Sequence, residues 1–433
     1  MVDAYNTKWV VGESIDNGIL TSFYEDGKWV IFAQIHDENH AFVNTSIYTS
    51  ADGRSWEIAG TLPIELGSIV YGNGIYVGVN GLTIYSSNDL ANWSTTTITI
   101  TAAYIYGIVY GGGRFLLTTN NGLDAPFYSD DGVNWTQLAS KIGNDNLYHK
   151  VVYLNGAWFV AGGYGVKRMY RSVDAITWTQ VNSITVEVYS PTYSDGLYLA
   201  TIYKSSSNQN AKDYYYSQDG ISWTTGTIFG NAKTAPTIKN AGGMWFARLS
   251  STGTYYSRDG INWSPTNVTN WYLDNIVYGN GIFVASTNGH GMMYSTDGVN
   301  WEQSNITDFA LGAKYANKLF VASMTLLAAA NNGIWYSEDG KTWEQSNITA
   351  GAVIGYGKGA WVGCTGHYVG FSAYAEQLIY LDPEPDPEPT PEPTPEPDPE
   401  PTPDPEPETP SAFNIRAYNH PINSIIVGRK EKN

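Results

Sequence analysis

The chain has 433 residues and a net charge of −18, and it contains 33 Tyr, 15 Trp and 45 Gly but only one Cys. Its charged fraction of 15% is low for a soluble domain, and the many aromatic and glycine residues favour β-sheets joined by tight turns over a helical bundle. The single Cys364 excludes a disulfide framework and any metal site that needs several cysteines.

The first residues, MVDAYNTKW, contain no basic stretch followed by an apolar one, so no secretory signal peptide is expected. No segment approaches the roughly 18 consecutive apolar residues of a membrane helix. We therefore expect a soluble protein with no membrane insertion. Residues 8–14, KWVVGES, are predicted to form a lone strand.

From residue 50 onwards a seven-residue box recurs eight times. It reads Ser-x-Asp-Gly-x-x-Trp, with Ser, Asp and Trp constant and Gly present in six copies. Consecutive Trp residues are 37 to 45 positions apart, a period that is typical of repeat architectures. The Asp and Trp residues of the boxes are Asp52 and Trp56, Asp89 and Trp93, Asp131 and Trp135, Asp174 and Trp178, Asp219 and Trp223, Asp259 and Trp263, Asp297 and Trp301, and Asp339 and Trp343.

Each box is preceded by a second motif, two apolar runs around a Gly/Asn turn, which is clearest in IVYGNGIYVGV (69–79) and IVYGNGIFVAS (276–286). This motif predicts a hairpin, and the Asp-Gly of the box predicts another tight turn, so the unit is four antiparallel strands. Such sheets must stack to bury their faces, and a ring of them leaves only short, protected edges. The sequence therefore predicts an all-β protein, a β-propeller of four-stranded antiparallel blades.

The box resembles the Asp-box, or bacterial neuraminidase repeat, whose common form, Ser-x-Asp-x-Gly-x-x-Trp, has one more residue between Asp and Trp. The resemblance covers residues 23–345. It implies a structural turn between the third and fourth strands of a blade, in which Ser and Asp satisfy backbone donors and Trp packs between blades. It implies little about activity, because the family includes sialidases, sorting receptors, assembly factors and phage adhesins.

Besides the eight units with a box, residues 351–381 resemble a ninth hairpin followed by further strands, without a box. The strand at 8–14 could complete this last sheet and close the ring by joining the two ends of the domain. A ring of eight or of nine blades is compatible with the pattern. Residues 1–381 are predicted to form the propeller domain.

The rest of the chain has a different composition. Residues 382–410 contain 14 Pro and 11 acidic residues, which predicts an extended acidic linker, a polyproline II rod about 90 Å long. Residues 411–433 are too short to fold alone, and we interpret them as a docking peptide that becomes ordered on a partner, with a small strand pair or oligomerisation element as the alternative. The large apolar residues that support docking are Phe413, Ile415, Tyr418, Ile422, Ile425, Ile426 and Val427.

Catalytic patterns are not evident. Sialidases that resemble this family hold the substrate carboxylate with three arginines and use a Tyr–Glu pair. Here only Arg168, Arg171 and Arg248 lie outside the boxes, hairpin turns and tail, and the first two share a blade. The loops contain the carboxylates Glu65, Asp124, Glu187, Asp274 and Asp308, but no spacing singles out a pair. We therefore predict no catalytic residue and no cofactor.

The segment HDENH (36–40) is the one cluster of histidines. Two His and two carboxylates could hold a divalent metal, and a solvated polar loop explains the pattern equally well. We predict no metal, and leave open whether this segment binds one.

Chain direction predicts where a ligand would bind. The turns between strands one and two and the box turns share one face, called the bottom face here. The loops between strands two and three and the connections between blades share the opposite top face. Variable loops on a rigid scaffold are the usual binding surface, and aromatic rings beside polar groups suit sugars; the alternative is that these rings plug the central channel. The candidate ligand-binding residues are Tyr104, Tyr106, Tyr148, Tyr164, Tyr189, Trp271, Tyr272 and His290.

Without the acidic linker and the basic last 23 residues, the body of the chain has a net charge of −10, which disfavours a nucleic-acid partner. We predict a non-catalytic binding module that resembles phage receptor-binding or virion appendage proteins. Its propeller would contact a glycan or protein of the host cell surface, and 411–433 would anchor it to a virion protein. It would be located in the virion, after assembly in the host cytoplasm. The alternatives are a glycoside hydrolase or sialidase-like enzyme, and an intracellular propeller scaffold or assembly factor.

Overall fold

A computed structural model describes residues 10–14, 19–37, 41–101, 104–119, 124–143, 151–161, 167–203, 212–229, 234–249, 253–269, 271–287, 289–307, 312–324, 333–349, 351–357, 360–369 and 372–381. These residues form 36 strands and no helix, so none of them belongs to a helix that could cross a membrane. In chain order the strands are β1 Val10–Ser14, β2 Ile19–Glu25, β3 Lys28–His36, β4 Phe42–Ser50, β5 Glu57–Leu62, β6 Ser68–Gly72, β7 Ile75–Asn80, β8 Thr83–Ser87, β9 Ser94–Thr97, β10 Ile105–Gly111, β11 Arg114–Thr119, β12 Phe127–Ser129, β13 Thr136–Gln137, β14 Val151–Leu154, β15 Ala157–Ala161, β16 Met169–Ser172, β17 Thr179–Gln180, β18 Thr192–Ser194, β19 Leu197–Thr201, β20 Tyr214–Ser217, β21 Thr224–Gly226, β22 Thr237–Ala241, β23 Met244–Leu249, β24 Gly253–Ser257, β25 Ser264–Pro265, β26 Leu273–Gly279, β27 Ile282–Thr287, β28 Met292–Ser295, β29 Glu302–Gln303, β30 Gly312–Ala316, β31 Leu319–Met324, β32 Gly333–Ser337, β33 Glu344–Gln345, β34 Gly351–Gly357, β35 Ala360–Val369 and β36 Ser372–Leu381.

The strands form nine four-stranded antiparallel sheets, which confirms the predicted all-β propeller. Of the two blade numbers compatible with the sequence, eight and nine, the structure has nine. Blades 1 to 8 each take four consecutive strands, from β2–β5 in blade 1 to β30–β33 in blade 8. Blade 9 has the order β1-β36-β35-β34, so its outer strand comes from the other end of the domain. In that pairing Val10 lies opposite Tyr380 and Ser14 opposite Gln377. The part of the predicted strand 8–14 that the structure describes, Val10–Ser14, therefore completes the last sheet.

Blades 1 and 9 are neighbours, which closes the ring. Trp29 and Ile31 of blade 1 pack in one apolar cluster with Ile354 and Val362 of blade 9. The first strands of neighbouring blades contact one another, for example β6 with β10 and β26 with β30. The first strand of each blade therefore lies nearest the axis, and the fourth strand lies at the rim.

A Tyr-Gly pair recurs at the end of several first strands because neighbouring blades meet there. A Cβ atom added to Gly72 would lie 2.3 Å from the Tyr110 ring of the next blade. At Gly279 the corresponding distance to the Tyr315 ring is 2.2 Å. The glycine makes room for the tyrosine of the following blade, so the motif IVYG describes a contact between blades as well as a strand.

The box forms a hydrogen-bonded turn between the third and fourth strands. In blade 7, Ser295 Oγ donates to Asp297 Oδ1 over 2.9 Å and accepts from the Gly298 amide over 2.9 Å. Asp297 Oδ1 also accepts from the amides of Val299 and Asn300, each over 2.8 Å. The hydrogen bond from the backbone amide of Asn300 is the main reason that the pKa of Asp297 lies below its usual range. The Ser-to-Asp hydrogen bond is present in all eight boxes.

The Trp of the box joins one blade to the preceding one. Trp301 is 3% exposed, and its Nε1 donates to the Gly298 carbonyl over 3.1 Å. Its ring meets Phe246 of blade 6 edge-on, with 6.1 Å between centroids. The turn and the packing between blades therefore depend on the same residues.

The boxes and the first hairpin turns lie on one face. Asn73, in the β6–β7 turn of blade 2, donates from Nδ2 to the carbonyls of Gly113 and Asp130, each over 3.0 Å. Gly113 belongs to the β10–β11 turn of blade 3, and Asp130 to its box. These turns make up the bottom face, and the remaining loops lie at the opposite ends of the strands, on the top face.

Candidate functional site

Six of the eight predicted ligand-binding residues are described, and all six lie at the top face. Tyr104 and Tyr106 precede or open the first strand of blade 3, and they are 49% and 53% exposed. Tyr189 lies in the connection from blade 4 to blade 5. The other three, Trp271, Tyr272 and His290, belong to blade 7. Tyr148, Tyr164 and the docking residues of 411–433 lie outside the described residues.

Trp271 and His290 form a stacked pair. Trp271 lies in the connection into blade 7, and His290 lies in the loop between β27 and β28 of the same blade. Their ring centroids are 4.8 Å apart, with an angle of 28° between the planes. Trp271 is half-buried and His290 is exposed. The pair therefore offers an aromatic surface to solvent while its base is held by the blade.

The loop that carries His290 is closed by three hydrogen bonds. The Thr287 amide and Thr287 Oγ1 both donate to the Gly291 carbonyl, over 3.0 and 2.8 Å. The His290 amide donates to Thr287 Oγ1 over 3.0 Å. Gly291 has a φ of +75°, and a Cβ atom there would lie 2.0 Å from the Ile306 carbonyl oxygen. This turn fixes the position of His290 and requires glycine.

The segment that carries Trp271 is anchored to blade 6. Leu273 is 1% exposed, and its amide donates to the buried hydroxyl of Thr254 over 2.9 Å. Ser286 Oγ donates to the Asp274 carbonyl over 3.2 Å. Residues 271–274 are thus held between blades 6 and 7, which limits how far the aromatic pair can move.

A charged cluster at the boundary of blades 6 and 7 is formed by Arg248, Tyr272, Asp274 and Lys239, and Tyr272 directly follows Trp271 in the chain. Arg248 Nη2 is 3.2 Å from Asp274 Oδ2, and the Arg248 guanidinium lies over the Tyr272 ring, 4.6 Å from its centroid. Lys239 Nζ lies 3.9 Å from Asp274 Oδ1 and donates to Asn275 Oδ1 over 3.3 Å. Arg248 and Lys239 are on blade 6 and Asp274 is on blade 7, so the cluster spans the boundary between them.

Blade 5 has a second aromatic pair in the corresponding place. Tyr189 precedes its first strand and Tyr203 follows its second, and the ring centroids are 5.6 Å apart. The Tyr189 amide donates to the Thr201 carbonyl over 2.9 Å, and the Tyr203 amide donates to the Glu187 carbonyl over 2.8 Å. Tyr189 is 49% exposed, and its partial burial raises its pKa. Two blades therefore use the same two loops to build an aromatic pair.

The four loop carboxylates that the structure describes lie in different parts of the ring. Four different places in the ring, each a loop or a strand end, carry Glu65, Asp124, Glu187 and Asp274. Asp274 lies close to two cations, Lys239 and Arg248. Asp308 lies outside the described residues. Arg168 and Arg171 are in or next to β16 of blade 4, whereas Arg248 is in blade 6, so blade 5 separates them.

Of the HDENH segment, only His36 and Asp37 are described, at the tip of the β3–β4 hairpin. Asp37 Oδ1 accepts from the Ala41 amide over 2.9 Å, and the His36 ring lies against Phe42 with 5.8 Å between centroids. Within the described part of the chain, no three His, Cys, Asp or Glu residues are grouped so that they could hold a metal ion.

The aromatic residues at this site were predicted from the sequence, but its cations were not. Arg248 was noted only as an arginine outside the boxes, and Lys239 was not singled out. The two residues lie on neighbouring strands of blade 6 and reach Asp274 across a blade boundary. One signal was available, since Arg248 is the penultimate residue of the second strand, close to where the top-face loop begins.

No known protein family matches the sequence, and no curated protein is significantly similar to it. Many solved structures are similar in fold. The Saccharomyces cerevisiae protein Sqt1 has 9% identity and a TM-score of 0.45, over 77% of this chain and 97% of that one. BamB from Moraxella catarrhalis has 10% identity and a TM-score of 0.44, over 73% and 94%. YCF48 from Cyanidioschyzon merolae has 12% identity and a TM-score of 0.39, over 74% and 95%. These are β-propeller proteins, and likeness at this level assigns no function to the chain.

Proposed function

We propose that this protein is a non-catalytic binding module, a phage virion appendage whose propeller binds a glycan of the host cell surface through its top face. The observation that carries the proposal is the Trp271–His290 pair, an aromatic surface held in place by hydrogen bonds on both of its loops. Sugar rings have apolar C–H faces that pack on aromatic rings and hydroxyl groups that need polar neighbours. Arg248 and Asp274 provide polar groups near the segment that carries Trp271, since Arg248 lies over the ring of the next residue, Tyr272.

The direction of the chain supports a tethered module. Strand β36 is the third strand of blade 9, so it runs from the top face to the bottom face and ends at Leu381. The acidic linker follows directly. It therefore leaves the propeller on the face opposite the aromatic pairs. A ligand-binding face that points away from the attachment point is what an appendage needs to reach a cell surface.

The Asp-box resemblance adds to this proposal without deciding it. The eight boxes account for the turns between the third and fourth strands of blades 1 to 8, and phage adhesins are among the proteins that carry such repeats. Residues 411–433 would supply the contact with a virion protein, through the seven large apolar residues named above.

Binding of the full chain to an array of bacterial surface polysaccharides tests the glycan-binding role. We expect binding that is weakened by His290→Ala, which removes an exposed ring, and by Trp271→Ala. The matched control is Ile221→Ala, because Ile221 is 59% exposed in a box on the bottom face. If all three variants bind as the unchanged protein does, the proposal that glycans bind at Trp271 and His290 is wrong. Mass spectrometry of the eluted glycans separates binding from cleavage, since shortened chains would indicate a glycoside hydrolase.

The anchoring role has its own test. A chain that lacks 411–433 should bind the same glycans with unchanged affinity but should no longer be incorporated into virions. Incorporation at the normal level would refute the docking role of this segment and leave the glycan-binding proposal intact.

A further inference from the structure

We infer that the glycan bound at this site is anionic, with a carboxylate, phosphate or sulfate group held by Arg248 and Lys239 while a neighbouring sugar ring packs on the Trp271–His290 pair. This inference rests on the proposed glycan-binding function and names the class of ligand. It starts from a charge imbalance between side chains that face one another across the boundary of blades 6 and 7.

Two cations share one carboxylate in this cluster. Arg248 Nη2 and Lys239 Nζ approach different oxygens of Asp274, at 3.2 and 3.9 Å. One carboxylate neutralises one of the two charges, so these three side chains, counted among the described residues, have a net charge of +1. The cluster lies on a propeller that is acidic as a whole, since residues 1–381 have a net charge of −10. At contact distance this local positive charge acts more strongly on an anionic group than the more distant, salt-screened charges of the rest of the body do.

The cations are accessible to a ligand. The side chain of Lys239 is 46% exposed and that of Arg248 is 26% exposed. The buried Nε of Arg248 has no hydrogen-bond partner among the described residues, and Nη2 is the atom that approaches Asp274. A guanidinium forms strong, directional hydrogen bonds with planar oxyanions, and an ammonium adds a second charge without demanding one geometry.

The Arg248 guanidinium is also oriented, and the chain links the cluster to the aromatic pair. The Tyr272 ring lies beneath the Arg248 guanidinium at 4.6 Å and restricts its plane. Trp271 and Tyr272 are consecutive residues, so the surface that receives a sugar ring and the group that holds the cation are next to each other in the chain. In this proposal a charged substituent, or the next residue of the glycan, extends from the sugar on His290 and Trp271 to Arg248.

A purely structural reading of the cluster makes different predictions. If Arg248 and Lys239 only join blades 6 and 7 through Asp274, their loss should lower stability and affect all glycans equally. If they bind the ligand, their loss should lower affinity for anionic glycans and make the remaining binding insensitive to salt.

The experiment compares the full chain with Arg248→Met and Lys239→Met on an array of bacterial surface polysaccharides of known charge. Arg258→Met is the matched control, because Arg258 is an exposed arginine of the same blade in its bottom-face box. We expect the unchanged protein to bind anionic glycans and each top-face variant to bind them about tenfold to a hundredfold more weakly. The control should bind normally. Thermal unfolding of each variant separates misfolding from loss of the binding site. Lys239→Met provides a second variant, in which the more exposed of the two cations is removed.

A bound glycan is then tested after its charge has been removed, by reduction of carboxyls to hydroxymethyl groups or by removal of phosphate or sulfate esters. Loss of binding supports the inference and shows which anion is recognised. Equal binding of the neutral form, or a set of bound glycans without charged groups, overturns it and leaves the proposed function standing. Absence of binding to any glycan overturns both.

Discussion

Two glycines in the loop that carries His290 allow a matched test of the candidate site. Gly289 and Gly291 both have a positive φ, +86° and +75°. A Cβ atom added at Gly289 would have no atom within 4 Å, whereas one at Gly291 would lie 2.0 Å from the Ile306 carbonyl oxygen. Alanine at either position therefore has an unfavourable left-handed backbone conformation, but only alanine at Gly291 also collides with the segment that follows β29.

The expected costs follow from this difference. A left-handed conformation costs a residue with a Cβ atom about 1–2 kcal/mol, which should apply to both Gly289→Ala and Gly291→Ala. Crowding at Gly291 should add about 1–3 kcal/mol, the usual cost of overpacking. The Ile306 carbonyl cannot move aside easily, because it accepts hydrogen bonds from the Met292 amide over 3.0 Å and from Gln303 Nε2 over 2.7 Å.

Urea unfolding followed by tryptophan fluorescence measures both variants. We expect Gly291→Ala to have the clearly lower midpoint and also to bind glycan more weakly, since displacement of this turn moves His290 away from Trp271. Gly289→Ala should lower the midpoint slightly and retain most of the binding. Equal midpoints for the two variants would refute the argument that backbone crowding, rather than φ alone, requires glycine at Gly291.

Two further predictions concern stability. Gly72→Ala should destabilise the protein by about 1–3 kcal/mol, because the added Cβ collides with the Tyr110 ring. Gly107→Ala is the control and should have little effect, since the added Cβ has no atom within 4 Å. Equal urea unfolding midpoints for the two variants would contradict the role of the Tyr-Gly contact. Acid should destabilise the propeller. The backbone amide of Ser222 and other donors lower the pKa of Asp219 to about 2, below its value in the unfolded chain. The stabilisation that ionised Asp219 gives the folded state is therefore complete above about pH 4 and is lost as the pH falls toward 2. A Tm that stays constant from pH 5 to pH 2 would contradict it.

The fold could be predicted from the sequence because each feature of the blade is local and repeated. The box places Ser, Asp and Trp within seven residues, and the hairpin motif has its turn within the motif itself. Even the ninth blade, which lacks a box, was recognisable from its hairpin and from the strand at 8–14. The number of blades required the structure, because the pairing of β1 with β36 joins residues that are far apart in the sequence.

The candidate site was only partly predictable, because its contacts cross from one loop or blade to another. The pattern of exposed aromatic residues suggested Trp271 and His290 separately, but their stacking depends on how two loops of blade 7 meet. The charged cluster is harder still, since Lys239 and Arg248 lie on blade 6 and meet Asp274 on blade 7. No spacing in the sequence encodes such a meeting.

The position of the last strand suggests how an anchored propeller would resist force. Strand β36 leads into the acidic linker and is paired on both sides, with β35 and with β1. A pull on the linker acts along β36 toward the bottom face, so the hydrogen bonds to both neighbours are loaded in shear and must break together. Deleting residues 1–14 removes the ladder on one side, and the remaining contact with β35 runs from Trp361 opposite Leu381 to Val369 opposite Ser372. We therefore expect this deletion to lower the force at which blade 9 opens in single-molecule pulling between the ligand face and the C-terminus. An unchanged force would show that β1 closes the ring without strengthening the attachment of the linker.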